Sequence, residues 1–158
     1  MKAASLNELK QELGTRTQKE LLQFCLRLAK FKKENKELLT YLLFEAHDEQ
    51  TYITAVQKEM QEQFAGMNQS NLYYVKKTLR KILRTLNKYS RYTGSAQVTI
   101  ELLLFFCKTL KESGIPVHKS PVITNLYNSQ VQKIHKELKT LHEDLQYDYA
   151  RELKALEQ

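Results

Sequence analysis

Seven basic side chains crowd one short stretch of this sequence: Lys76, Lys77, Arg80, Lys81, Arg84, Lys88 and Arg91. No Asp or Glu stands between residues 67 and 92, whereas residues 1–66 hold 10 basic and 10 acidic side chains and residues 93–158 hold 8 and 8. The net charge of +7 therefore belongs to one segment of an otherwise neutral chain. Stepping about 100° per residue from Leu72, the cations occupy a flank between roughly 40° and 180° on a helical wheel. Tyr73 lies inside that flank, with Tyr74 and Tyr92 at its far edge. Cations attract phosphates, and aromatic faces offer bases a surface on which to stack. These residues are thus a candidate binding face for a polyanion or another partner.

The flank opposes its own helix. Four like-charge pairs at i,i+4 (Lys76/Arg80, Lys77/Lys81, Arg80/Arg84, Arg84/Lys88) join three at i,i+3, and together they cost roughly 1.5–3.5 kcal/mol before salt screening. Two compensations are open at this point. Acidic side chains of the preceding segment (Glu45, Asp48, Glu49, Glu59, Glu62) could neutralise the flank, or an external polyanion could.

The other reactive residue types do not assemble. His135 and His142 sit two turns apart beside an apolar seam, with no Glu-x-x-His or His-Glu-x-x-His pattern. His47, Asp48 and Glu49 are consecutive, so on a helix they point apart. His118 stands alone in a proline-bounded loop. Cys25 and Cys107 each lie in an apolar helical stretch and read as small buried hydrophobes. No Gly-x-Ser-x-Gly and no glycine-rich phosphate loop occurs. We expect no catalytic residues, no metal and no cofactor.

The elements that must carry these residues read as helices throughout. Only 4 Gly and 2 Pro in 158 residues argue against a turn-rich β fold. Ser5 with Glu8 and Thr17 with Glu20 are capping boxes. Leu6, Leu9 and Leu13 share one face, and Leu21, Leu22, Phe24, Cys25, Leu28 and Phe31 form a wide apolar stripe. A polar break at residues 32–35 precedes a third helix with Leu38, Leu39, Leu42 and Leu43, running to His47. Asp48 caps a segment with Tyr52, Ile53, Val56, Met60 and Phe64 inward. Ser70 is expected to cap the basic helix, with Leu72, Val75, Leu79, Ile82, Leu83, Leu86 and Tyr89 facing in. The helix after Ser95 is apolar nearly all round and should be the most buried. Residues 115–121 form a loop between Pro116 and Pro121. Tyr127, Val131, Ile134, Leu138, Leu141 and Leu145 then make a heptad-like seam, with a turn expected near residues 142–144, where Asp144 could cap.

These signals predict one all-α domain over 1–158, of seven or eight helices. The expected arrangement is stacked antiparallel hairpins, a HEAT-like short αα-solenoid or a helical bundle, with 122–158 a long C-terminal helix or helix pair. Leu6-x-x-Leu9, Thr17-x-x-Glu20-Leu21-Leu22 and Glu37-Leu38-Leu39-x-Tyr41-Leu42-Leu43 resemble small all-helical bacterial families of unknown function with HEAT-like hairpins. That resemblance covers mainly the first half and implies a fold type without an activity.

Residues 2–8 lack the apolar core of a signal peptide, and no apolar run approaches a membrane span. The expectation is a cytoplasmic, non-enzymatic interaction module without membrane contact, with a protein partner. Nucleic acid bound through 76–91 is the alternative. The seam of the C-terminal helix could pack on the domain or pair two copies as a homodimer.

Overall fold

A computed structural model describes Met1 to Glu157. Among the described residues there are eight α-helices and no strand. They are α1 (Leu6–Gly14), α2 (Gln18–Phe31), α3 (Lys33–Thr40), α4 (Glu49–Ala65), α5 (Leu72–Thr93), α6 (Ala96–Glu112), α7 (Pro121–Leu138) and α8 (Glu143–Glu157). A π-helical turn, Tyr41–Glu45, continues from α3, and a 3-10 turn, Val117–Lys119, precedes α7. The chain groups into two compact units, Met1–Phe44 and a second from Glu45 onward.

In the first unit both capping boxes form. The Ser5 and Thr17 hydroxyls accept from the backbone N–H of Glu8 and Glu20, whose carboxylates accept in return. The break between α2 and α3 is narrower than the polar run suggested. Lys32 alone is extended, while Lys33, Glu34 and Asn35 enter the first turn of α3, where Lys and Glu are good helix formers. Asn35 ties the hairpin together by donating from Nδ2 to the Leu28 carbonyl at 2.9 Å.

The apolar stripes of this unit do not become a core. No residue of α1, α2 or α3 is buried, and Leu22, Leu28 and Phe31 are 60%, 60% and 77% exposed. Three short helices over 44 residues present more apolar faces than one hairpin seam can cover. Cys25 is accordingly exposed, contrary to expectation, whereas Cys107 is buried; both are free thiols.

The second unit has the conventional core. Helix α6 contributes Val98, Ile100, Leu102, Leu103, Phe106, Cys107 and Leu110, and it packs against α4, α5, α7 and α8. It is the central helix that its all-round apolar pattern predicts. Gly94 and Gly114 adopt φ of 64° and 76°, the left-handed conformation that ends α5 and turns the chain after α6. Pro121 opens α7 at its first position, where the missing N–H costs nothing.

The seam residues Tyr127, Val131, Ile134 and Leu138 are buried inside this unit, where α7 packs on α6. The seam is therefore occupied within the chain. The C-terminal stretch is two helices, broken over residues 139–142. Asp144 lies in the first turn of α8 rather than before it. The far end of α8 is held by two donors, Lys111 Nζ at 2.9 Å and Tyr127 Oη at 2.8 Å, both on the Leu156 carbonyl. That carbonyl has no acceptor role inside the helix, so the contacts serve as its cap.

Candidate polyanion-binding face

The basic helix α5 is 22 residues long and packs on both α4 and α6. Asn71 caps it, its Oδ1 accepting from the Tyr73 N–H at 2.8 Å. Ser70, expected in that role, instead donates from backbone and hydroxyl to Asn68 Oδ1, one residue too early to reach the helix. Val75, Leu79, Ile82, Leu83 and Leu86 are buried as predicted. Leu72 is not: at the first helical position it is 42% exposed.

Five buried aliphatic side chains stabilise the placement of α5 by roughly 7–15 kcal/mol before chain entropy. That exceeds the like-charge repulsion of its cations several-fold. The helix can therefore carry an unneutralised flank because its other face is packed.

The flank is unneutralised. Among the described residues, Lys76, Lys77, Arg80, Lys81, Arg84 and Arg91 make no ion pair and no hydrogen bond. None of the five acidic side chains that could have compensated them does so. Asp48 accepts from the Thr51 backbone and hydroxyl as the cap of α4, and Glu59 accepts from Gln63 at 3.3 Å. Glu45, Glu49 and Glu62 form no ion pair with α5. Lys88 is the engaged member of the seven, with Nζ 5.0 Å from the centroid of the Tyr89 ring.

The cations do not all share one site. A shallow groove of about 530 Å³ is lined by Tyr73, Lys76, Lys77, Arg80, Leu83, Arg84 and Asn87. Lys81, Lys88 and Arg91 fall outside that lining. Tyr73 is 61% exposed at one end, and Tyr74, 47% exposed, stands nearly perpendicular to it at 5.5 Å. Tyr92 instead packs toward Tyr89, with ring centroids 6.2 Å apart.

Two residues of this neighbourhood were missed in the sequence. Asn87 is a polar residue among many, and Lys133 lies on α7. Lys133 Nζ donates to Asn87 Oδ1 at 2.6 Å across a sequence separation of 46. That contact brings a further cation to the edge of the groove, and nothing local to either residue could have announced it.

The remaining polar residues are spread out. His135 Nε2 meets Glu157 Oε1 at 2.7 Å, and His142 Nδ1 meets Asp144 Oδ2 at 3.4 Å, both exposed. Tyr149 donates to Glu101 Oε1 at 2.6 Å, and burial followed by that bond pushes its hydroxyl pKa well above the ordinary tyrosine value. Burial likewise pushes the Cys107 thiol up to about 12. Neither is poised to lose a proton near neutral pH. Among the described residues, no three His, Cys, Asp or Glu side chains come together as a metal site would require, and no helix is long and apolar enough to cross a membrane.

The geometry defines an all-helical protein with a solvent-facing cationic groove. No family model, curated protein or solved structure matches the chain.

Proposed function

We propose that this chain is a non-enzymatic helical module that binds another macromolecule, and that the macromolecule is a polyanion held on the outer flank of α5. The observation that carries this is the set of six cations without a carboxylate partner on a helix whose position is fixed by its packed face. Electrostatic binding of this kind weakens linearly in log affinity with log salt. Titration of the full chain with fluorescent inorganic polyphosphate tests it. The triple variant Arg80→Glu, Lys81→Glu, Arg84→Glu should abolish binding, and a wild-type chain that ignores polyphosphate at about 50 mM salt refutes it. The helical hairpins, read as HEAT-like, are the rigid support that keeps this flank in one geometry.

A second reading has its own observation. Twelve Leu and Phe side chains of residues 1–44 are exposed. At about 100 Å² for each fully exposed side chain they sum to on the order of 700 Å² of apolar surface. A standard interface takes about 800 Å² from each partner. The reading is that these helices dock on a second copy of the chain. Sedimentation should then give twice the 18.6 kDa chain mass, reverting to one chain in the Phe24→Lys, Leu28→Lys variant. A monomer at every concentration refutes it.

A further inference from the structure

We infer that the polyanion is a single-stranded nucleic acid, with its phosphates along the α5 cations and a base stacked on Tyr73; this rests on the polyanion reading above. The first ground is the exposed aromatic. The Tyr73 ring, which lines the cationic groove, stays 61% exposed, and the aromatic contact it makes is an edge contact with Tyr74. Tyr74 stands at 77° to it, an edge arrangement that leaves at least one face of each ring open. Base stacking on such a face is indifferent to base identity but needs the base unpaired.

The second ground is the shape of the charge. From Lys76 to Arg91 the cations recur every three or four residues, a rise of about 6 Å per four-residue step. Such steps compare with the separation of successive phosphates along an extended single strand. Tyr73, Arg80, Arg84 and Arg91 fall on nearly one line of the helix surface, over about 27 Å.

The third ground is what α5 cannot do. Packed on α4 and α6, it offers only a flank, not the projecting helix that enters a duplex major groove. The bases of a duplex would also be stacked inside it, beyond the reach of Tyr73. Lys133, held at the groove edge by Asn87, adds a contact from α7 that widens the electropositive channel on one side.

The test compares anionic probes on the full chain by fluorescence anisotropy. The probes are an oligothymidine of about 10 nucleotides, a duplex of equal length and inorganic polyphosphate. The single strand should bind more tightly than the other two. Tyr73→Ala should weaken single-strand binding about 5- to 100-fold, with polyphosphate binding unchanged, and Tyr73→Phe should retain it. Lys133→Met should lower the salt slope for the single strand by about 0.7. Loss of all three probes would remove both the polyanion reading and this inference. Polyphosphate binding without single-strand preference, or a preference that survives Tyr73→Ala, would overturn the inference alone. Equal or tighter binding to vesicles of phosphatidylserine would overturn it in favour of a lipid surface.

Discussion

Arg80 should be a residue that lowers the stability of its own protein. It is exposed and has no ion pair, and it stands at i,i+4 from Lys76 and Arg84 and at i,i+3 from Lys77. The substitution Arg80→Glu turns three repulsive neighbours into three attractive ones. Each pair is worth about 0.2–0.5 kcal/mol with either sign, so each inversion gains about 0.4–1 kcal/mol and the three together about 1–3 kcal/mol. Arg and Glu have nearly equal helix propensity, so no intrinsic cost offsets the gain. For a chain of this length 1 kcal/mol moves the melting temperature by about 2–4 °C, which predicts a rise of roughly 2–12 °C at low ionic strength.

Thermal unfolding followed by circular dichroism reads this directly, and salt supplies the internal control. At about 1 M the screening length falls to about 3 Å, and most of the gain should vanish. A fall in melting temperature at low salt would refute the reasoning, since it would mean that Arg80 has a stabilising partner after all. A gain that persists in high salt would refute it differently, by pointing to packing rather than charge. The expected result, a reversal that stabilises the fold while weakening polyphosphate binding, is the signature of charge kept for a use other than folding.

The remaining predictions address the scaffold. Native protein should react with one equivalent of a thiol reagent, at exposed Cys25, and denatured protein with two, because Cys107 is buried and its thiol pKa is pushed up to about 12; two fast equivalents under native conditions would refute the burial of α6. Tyr149→Phe should cost about 1–3 kcal/mol in urea unfolding, since it leaves the Glu101 carboxylate without its hydroxyl donor; an unchanged midpoint would refute that bond. The capping carboxylates Glu8, Glu20 and Asp48 have pKa values lowered by the hydrogen bonds they accept from Ser5, Thr17 and Thr51. Depressed in the folded state, they add stability above the ordinary carboxylate range of about 4, and that stability is lost as pH falls through the folded values. Helicity should therefore fall below about pH 4, and Glu8→Gln with Glu20→Gln should lose that part of the transition.

The second unit was legible because its sequence signals are redundant. α6 is apolar nearly all round, Ser95 caps it, and Gly114 lies just past its end, so pattern and punctuation agree. The first unit misled for a physical reason. Helical periodicity reports that a face is apolar, not that anything covers it, and Leu22, Leu28 and Phe31 satisfy the pattern while standing exposed. The cap of α5 differs for a local reason: Ser70 and Asn71 are both competent residues, but Ser70 is taken up by the Asn68 side chain, which leaves Asn71 to cap. For the candidate site, the wheel placed Tyr73, Lys76, Lys77, Arg80 and Arg84 on one flank because that arrangement is local to a single helix. Whether Glu59 or Glu62 neutralised them depended on the approach of α4, and the contribution of Lys133 depended on the approach of α7. Those are tertiary facts with no periodic trace. Local chemistry was therefore readable as a surface, and its electrostatic environment was not. It is the environment, six cations left without carboxylates, that turns a basic helix into a candidate binding site.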